Sequence, residues 1–184
     1  TSNANYGWLL NTLSKLNQNG VGVVLLANGA LSAGAVGNDE YEIRKRLIEN
    51  DIVEAIIILP RSMFYTTDIS VTVWMLNKNK HASIEKRPDG EVHFRERSEE
   101  ILFMDLRQMG HPFEKKYIEF TDEDRAAIVD RFKSWRFEGY KTPYEDILEF
   151  CYAAKKEEIV EKDYSLVPSR YIEFVNRDET VGYE

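Results

Sequence analysis

The sequence predicts a doubly wound α/β fold, and three apolar runs with their connections carry that prediction. Residues 21–27 and 51–60 are continuous apolar runs, which is typical of strands buried on both faces of a parallel sheet. A helical pattern separates these two runs, so the two strands should run parallel. A third run, residues 69–78, follows a connection too short for a helix. It should therefore return antiparallel to the second run.

Periodicity and capping residues predict the helices and loops of the first half. Residues 5–18 place apolar side chains at helical spacing. The segment 28–38 is rich in small residues and predicts a loop. The next helix begins at Asp39, with Glu42 three residues on, and ends at Asn50. The apolar positions of the first helix are Tyr6, Leu9, Leu13 and Leu16.

The second half is more charged, and its elements are shorter. Residues 79–100 form a charged excursion with a hairpin turn at their Pro-Asp-Gly sequence, and residues 101–106 predict one more strand. A helix should run from Thr121, with Asp124 as its capping partner, to about residue 137. A short helix and an extended tail close the chain. The residues predicted to face the core from the long helix are Ile128, Val129, Phe132 and Trp135.

Charge is distributed unevenly along the chain. Residues 1–80 carry seven basic and seven acidic side chains, whereas residues 81–184 carry seventeen and twenty-five, which accounts for the formal net charge of −8. A nucleic-acid backbone is therefore not the expected partner of the second half. In the first half, contact with nucleic acid requires locally placed basic groups.

Cysteine and histidine usage limits the chemistry of the chain. The single cysteine, Cys151, excludes an internal disulfide and a thiolate metal cluster. The three histidines are far apart and show no metal-ligand spacing, so we expect no metal. No apolar stretch is long enough to span a bilayer, so we expect no membrane partner. Together these features predict a cytoplasmic protein.

Three segments carry a resemblance to a known family. They are NANYGWLLNTLSKLNQNGVGVVLLANGALS (3–32), EIRKRLIENDIVEAIIILPRSMFYTTDISVTVWMLNKNK (42–80) and EEIVEKDYSLVPSRYIEF (157–174). In this order they resemble the modification subunit of type I restriction-modification systems, a DNA adenine-N6 methylase that uses S-adenosylmethionine. The resemblance implies the carboxyl-terminal half of a Rossmann-like methyltransferase sheet with one antiparallel strand, followed by a helical and extended appendage.

The chain lacks two motifs that the resemblance implies for a complete enzyme. Such methylases carry a Gly-rich cofactor loop and an Asn-Pro-Pro-aromatic motif that holds the adenine amino group. Here every proline is isolated, and no Gly-x-Gly loop follows a strand. The resemblance therefore predicts a carboxyl-terminal fragment with no catalytic residue of its own, inactive alone and binding S-adenosylmethionine marginally at best. It divides the chain into residues 1–110, the sheet with a variable insertion at 81–100, and residues 111–184, the appendage.

The connection after the second strand is the candidate target-base pocket. An enzyme that modifies a base must extrude it and hold it between flat surfaces. The resemblance implies that Phe64 or Tyr65 packs against the flipped adenine, while Thr66 and Thr67 bind a phosphate or the base edge. We expect Tyr65 to be the exposed aromatic and Phe64 the buried one. The structural alternative is that both aromatics simply close the end of the sheet.

Other polar residues near the strand ends are candidates with structural alternatives of their own. Asn28, Gly29 and Pro60 are expected to line the ligand cleft at the carboxyl ends of the parallel strands. For Asn28 and Gly29 the alternative is a tight turn. Two lysines at the end of the third strand are candidates for contact with the DNA backbone, or else solubilising charges. These lysines are Lys78 and Lys80.

The resemblance also implies partners and leaves two alternatives open. The expected partners are DNA, a DNA-specificity subunit that reads the target, and a restriction subunit. The first alternative is a protein-interaction module, whose acidic second half docks the specificity subunit without catalysis. The second is another nucleotide-binding α/β enzyme. Residues 169–171 resemble the tail motif of the family, which docks on its own domain or on a partner.

Overall fold

A computed structural model describes residues 4–175 of the chain. They form a mixed sheet with helices on its faces and two separate β-hairpins. The helices are α1 Asn5–Lys15, α2 Asp39–Glu49, α3 Asp122–Arg136 and α4 Lys156–Glu161. The strands are β1 Val21–Ala27, β2 Val53–Ile58, β3 Val71–Asn77, β4 Ser83–Arg87, β5 Gly90–Phe94, β6 Glu100–Asp105, β7 His111–Phe113, β8 Tyr117–Glu119 and β9 Cys151–Lys155.

The main sheet has the strand order β1-β3-β2-β6-β9. β3 pairs antiparallel with both β1 and β2, so these two strands run in the same direction, as the helix between them predicted. β2 and β6 are parallel, and β9 is antiparallel to β6. The predicted antiparallel return of the third strand is therefore confirmed. Its insertion between the first two strands was not predicted.

The prediction that β1 is buried on both faces is wrong. Val23 and Leu25 are 59% and 50% exposed, while the alternate residues face α1 and are buried or half-buried. A Cβ atom at Gly22, on the covered face, would lie 2.6 Å from Cγ2 of Thr12 in α1, so helix and strand are in close contact there. β1 is an edge strand of the described sheet, and the helix covers only one of its faces.

The core lies on both faces of β2, whose residues are all buried. On one face, α1 and α2 cover a cluster that contains Tyr6, Leu9 and Trp74. On the other face, α3 contributes Trp135, with Ile128 and Phe132 partly buried. Val129 is 46% exposed, so its predicted place on the buried side of this helix is wrong.

The helix starts are set by side-chain caps. Thr121 and Asp124 form the predicted capping box, in which each side chain accepts a hydrogen bond from the other residue's backbone N–H. Helix α2 begins at Asp39, as predicted, but its capping residue is the one before it. The side chain of Asn38, rather than that of Asp39, accepts from the backbone N–H of Glu40.

The appendage contributes to the main sheet. Strand β9 was not predicted, since its sequence CYAAK is short and shows no clear alternation. The tail then folds back: Tyr171 stacks on Phe103 of β6 with ring centroids 4.2 Å apart, and Ile172 is buried. Within the expected tail motif, Tyr171 therefore docks on its own domain. The division of the chain at residue 110 stays a prediction.

Candidate functional site

The loops that follow the parallel strands meet at one edge of the sheet. β1, β2 and β6 run in the same direction, so their carboxyl ends lie together there. Asn28 follows β1, the segment 59–70 follows β2, and the β7–β8 hairpin follows β6. In open α/β sheets, ligands bind at this carboxyl edge. These three connections therefore form the candidate site.

The segment after β2 is a tight hairpin of its own. The backbone N–H of Ser62 donates to the carbonyl of Asp68 at 3.3 Å, and that of Thr67 donates to the carbonyl of Phe64 at 3.3 Å. Ser62 adopts a positive φ of 56°, which helps the chain reverse. The bond between Thr67 and Phe64 leaves Tyr65 and Thr66 at the tip. The segment is therefore a turn, and its tip presents an aromatic ring and a hydroxyl.

The two aromatic residues of this turn have different environments. Tyr65 is 71% exposed, whereas Phe64 is half-buried and packs against the cluster that contains Trp135. Thr66 is exposed, and the hydroxyl oxygen of Thr67 accepts from the backbone N–H of Ile69 at 3.3 Å. The expectation that Tyr65 is the exposed aromatic is therefore confirmed, and its contact with a base stays a prediction.

The structure adds residues that sequence reasoning missed. The rings of Tyr65 and Tyr117 meet edge to face, with centroids 4.7 Å apart and an interplanar angle of 75°. Lys116 places its ammonium nitrogen 5.4 Å from the centroid of the Tyr117 ring. No strand was predicted for residues 111–119, where the only local signal is the pair of lysines before Tyr117.

Two clefts flank the tip of this turn. One, of about 310 Å³, lies between the tip and the β7–β8 hairpin and includes Tyr65, Thr66 and Tyr117 in its lining. The other, of about 360 Å³, lies on the α1 side and includes Trp8 and Leu25. Trp8 is 59% exposed at this second cleft. Flat aromatic surfaces therefore stand on both sides of the tip.

Asn28, Gly29 and Pro60 all lie at this edge of the sheet, as predicted. The side-chain oxygen of Asn28 accepts from the hydroxyl of Thr72 in β3 at 2.6 Å, which ties the end of β1 to the start of β3. Gly29 has no positive φ, and a Cβ atom there would meet nothing within 4 Å, so the turn does not require glycine. Pro60 is buried. Whether these residues line a ligand cleft stays a prediction.

The two candidate lysines lie at the opposite edge. Lys78 donates from its ammonium to the carbonyl of Leu16, at the end of α1, at 2.6 Å. The Lys80 side chain is 0% exposed and pairs with a carboxylate oxygen of Asp51 at 2.5 Å. Burial lowers the pKa of Lys80, and the Asp51 carboxylate opposes part of that shift. The predicted contact with a DNA backbone is wrong for Lys80, because its charge is enclosed. For Lys78, which lies at the edge opposite the predicted base pocket, that contact stays a prediction.

An ion cluster that the sequence did not predict lies beside Lys80. Glu54 is fully buried in β2, with Nε of Arg97 at 3.4 Å and Nη1 of Arg136 at 3.7 Å from its carboxylate oxygens. Burial lowers the pKa of Arg97, and Glu54 opposes that shift. The cluster connects the amino end of β2 to α3 and to the segment after β5, away from the candidate site.

Whether the described residues contact S-adenosylmethionine stays a prediction. The carboxylate that ends β6, Asp105, is held by Arg107 through two hydrogen-bonded oxygens, so it is engaged within the fold. Within residues 4–175 no Gly-x-Gly turn follows a strand of the main sheet. In the same part of the chain, no three His, Cys, Asp or Glu side chains are grouped to hold a metal ion. No helix among these residues is long and apolar enough to cross a membrane.

Comparison with known proteins identifies the family. Residues 1–180 match the N-6 DNA methylase family. The chain is 37% identical over 170 residues to the type I restriction enzyme HindI methylase subunit of Haemophilus influenzae, covering 92% of this chain and 34% of that protein. It is 32% identical over 182 residues to the MjaIX methylase subunit of Methanocaldococcus jannaschii, covering 99% of this chain and 30% of that protein.

A solved structure agrees with the observed topology. The methyltransferase subunit of a type I restriction-modification system from Streptococcus thermophilus superposes with a TM-score of 0.72 at 32% identity, covering 94% of this chain and 31% of that one. The mixed α/β sheet is therefore the fold of these subunits. The chain spans about a third of the length of the relatives it matches. It belongs to the N-6 DNA methylase family, among the methylase subunits of type I restriction enzymes.

Proposed function

We propose that this chain is part of a DNA methyltransferase that transfers a methyl group from S-adenosylmethionine to the N6 atom of adenine in DNA. The cofactor loop and the motif that holds the adenine amino group come from parts of the parent protein outside this chain. Membership in the N-6 DNA methylase family supports the proposed methyl transfer. The chain covers about a third of the length of its relatives, which supports the proposal that the remaining parts lie outside it. The role of the present chain is to contribute one wall of the target-base site.

The exposed ring of Tyr65 is the observation that carries this proposal. It stands at the carboxyl edge of the parallel strands, on a hydrogen-bonded turn, with the hydroxyl of Thr66 beside it. An extruded base needs a flat surface, and stacking on an aromatic side chain contributes about 1–3 kcal/mol per base. Phe64 supports the turn, since it is half-buried and packs against the core cluster that contains Trp135.

The exposed face of β1 supports the proposal that the chain works as part of a larger domain. Val23 and Leu25 form an exposed apolar row on the uncovered face of the edge strand, and Leu25 lines the same cleft as the exposed Trp8 of α1. Contiguous exposed apolar side chains mark surfaces that bind other protein. We assign this row to the rest of the methyltransferase domain. The isolated chain is accordingly expected to be inactive.

The partners follow from the proposed activity. The relatives are named as methylase subunits of type I restriction enzymes. We propose that a specificity subunit selects the DNA target, that a restriction subunit joins the assembly, and that the assembly acts in the cytoplasm. The alternative function is a docking module without catalysis, in which the acidic second half of the chain binds the specificity subunit. The docked Tyr171 does not favour it, because that part of the tail is already bound.

A comparison of the full-length protein with the isolated chain tests the proposal. The full-length protein, purified with its specificity subunit, should transfer labelled methyl groups to adenine in DNA that contains the target. The isolated chain should transfer none and should give a negligible signal when S-adenosylmethionine is titrated into it in a calorimeter. Micromolar binding of the cofactor by the isolated chain would contradict the proposed division. Absence of methylation by the full-length protein, in a complex that binds its DNA, would favour the docking module.

A further inference from the structure

We propose that the β7–β8 hairpin is a second DNA contact of the enzyme. In this proposal the ammonium of Lys116 binds a backbone phosphate next to the extruded base, and the ring of Tyr117 holds the ring of Tyr65 in place to receive that base. The inference rests on the proposed function, because it assumes that Tyr65 faces a flipped base. It assigns roles to two residues outside the turn that carries Tyr65.

The hairpin is fixed against the turn by hydrogen bonds and by close packing. The backbone N–H of Ile118 donates to the carbonyl of Ser62 at 3.0 Å, which joins β8 directly to the start of the turn. Gly110, just before β7, adopts a φ of 87°, and a Cβ atom there would lie 2.8 Å from the carbonyl oxygen of Glu119. The hairpin therefore holds Lys116 and Tyr117 at a set position beside the tip.

The turn of the hairpin presents one acidic and two basic side chains, Glu114, Lys115 and Lys116, to solvent. Glu114 and Lys115 both adopt positive φ values, 47° and 61°, and the backbone N–H of Lys116 donates to the carbonyl of Phe113 at 3.3 Å. This is the tight two-residue turn that matches the twist of a β-hairpin. Non-glycine residues seldom adopt this conformation, so the turn keeps a charged side chain where glycine or asparagine is usual. Lys115 and Lys116 are both exposed.

The ammonium of Lys116 is available for a phosphate. Within residues 4–175 it makes no ion pair, and its described contact is the face of the Tyr117 ring. The nearby carboxylate of Asp68, which also lines the cleft, is paired with Arg61 at 3.8 Å, so its repulsion of a phosphate is reduced. A lysine beside the aromatic wall of a base pocket is suited to the phosphate of the nucleotide that the pocket holds.

Tyr117 acts through Tyr65. An edge-to-face pair contributes about 0.5–1.5 kcal/mol and orients both rings. The tip of the turn has few other contacts for the exposed ring of Tyr65, so this pair restricts its rotation before a base arrives. Pre-ordering the ring reduces the entropy lost when the base stacks. Tyr117 is therefore a positioning residue rather than a direct partner of the base.

The role of Lys116 is tested by the salt dependence of DNA binding. The full-length methylase with its specificity subunit carries Lys116→Ala or, as a matched control, Lys86→Ala; Lys86 is an exposed lysine on the β4–β5 hairpin, at the other edge. Each phosphate contact contributes about 0.9 to the slope of log affinity against log salt concentration. Wild type should therefore bind DNA more tightly than Lys116→Ala, and this affinity ratio should be about threefold larger at about 50 mM than at about 200 mM salt. The affinity ratio of wild type to Lys86→Ala should be the same at both salt concentrations. Equal slopes for wild type and Lys116→Ala would overturn the assignment.

The role of Tyr117 is tested by a double-mutant cycle with Tyr65. Tyr117→Ala should lower methylation and the signal of a fluorescent adenine analogue at the target position by about two- to twelvefold, the equivalent of one aromatic pair. Tyr117→Phe, which keeps the ring, should restore most of the loss. In a Tyr65→Ala background, Tyr117→Ala should have no further effect. Losses that multiply in the double variant, with unchanged melting temperatures, would overturn the positioning role.

The outcomes separate this inference from the proposed function. If the wild-type complex methylates DNA and the hairpin variants behave like it, the inference fails and the proposed function stands. If the wild-type complex binds its DNA but methylates nothing, the proposed function fails and the inference fails with it. Thermal melting of each variant distinguishes a lost contact from a misfolded hairpin.

Discussion

Replacing Lys80 by methionine should destabilise the fold strongly. The Lys80 side chain is 0% exposed, and its ammonium donates to the carbonyl of Val53 at 3.0 Å and to that of Glu100 at 2.6 Å, besides pairing with Asp51. These contacts join the start of β2 to the start of β6 and to Asp51, in the loop between α2 and β2. Methionine has a similar length and no hydrogen-bond donor. The change thus removes all three contacts while nearly preserving the volume.

The expected loss follows from these contacts. Each carbonyl left without a partner in the interior costs about 1–3 kcal/mol, and removing one member of a buried ion pair costs about 3–5 kcal/mol. The Asp51 side chain is 27% exposed, so water can replace part of its lost partner. The two penalties overlap, and we expect a decrease of about 3 kcal/mol in the free energy of unfolding. That is a large share of the about 5–15 kcal/mol by which domains are stable.

Urea unfolding followed by circular dichroism measures this change, with Lys78→Met as the matched control. The side chain of Lys78 makes a single described bond, to the carbonyl of Leu16, and its removal should cost about 0.5–1.5 kcal/mol. The order of the two variants is the critical result. If Lys80→Met unfolds within about 0.5 kcal/mol of the wild type, a range usual for surface substitutions, the enclosed ammonium has no structural role and our reasoning is refuted.

The remaining predictions concern the candidate site, the cysteine and a helix cap. Tyr65→Ala in the full-length enzyme should lower methylation about five- to two-hundredfold through lost stacking, with little change in melting temperature. Phe64→Ala should lower the melting temperature more than Tyr65→Ala does. If Tyr65→Ala lowers the melting temperature more, Tyr65 has a structural role at the end of the sheet. Cys151 is buried, and burial raises the pKa of its thiol, so the neutral form persists to higher pH. A thiol reagent should therefore label Cys151 only after unfolding, and rapid labelling of the native chain would contradict this. Thr121→Ala should decrease the free energy of unfolding in urea by about 1 kcal/mol, because it removes the side chain that accepts from the backbone N–H of Asp124. An unchanged free energy of unfolding would show that the capping box contributes nothing.

Local patterns in the sequence determined most of the secondary structure. The apolar runs at 21–27 and 51–60, the helical spacing between them, and the short connection before 69–78 were sufficient for the strand directions. The capping box at Thr121 was also readable, because its two members lie within one turn of chain. Each of these signals depends on residues close in sequence, where backbone geometry alone decides the neighbours.

The positions and environments of individual side chains were decided by the tertiary structure. Lys80 looks like a surface lysine in the sequence, and it is buried because β2 and β6 bring the carbonyls of Val53 and Glu100 around it. Val23 looks buried, and it is exposed because β1 lies at the edge of the described sheet. Tyr117 is 52 residues from Tyr65 in the chain, and only the parallel pairing of β2 with β6 places their loops at the same edge. Strand order and register are set by packing between distant segments, and no local pattern encodes them.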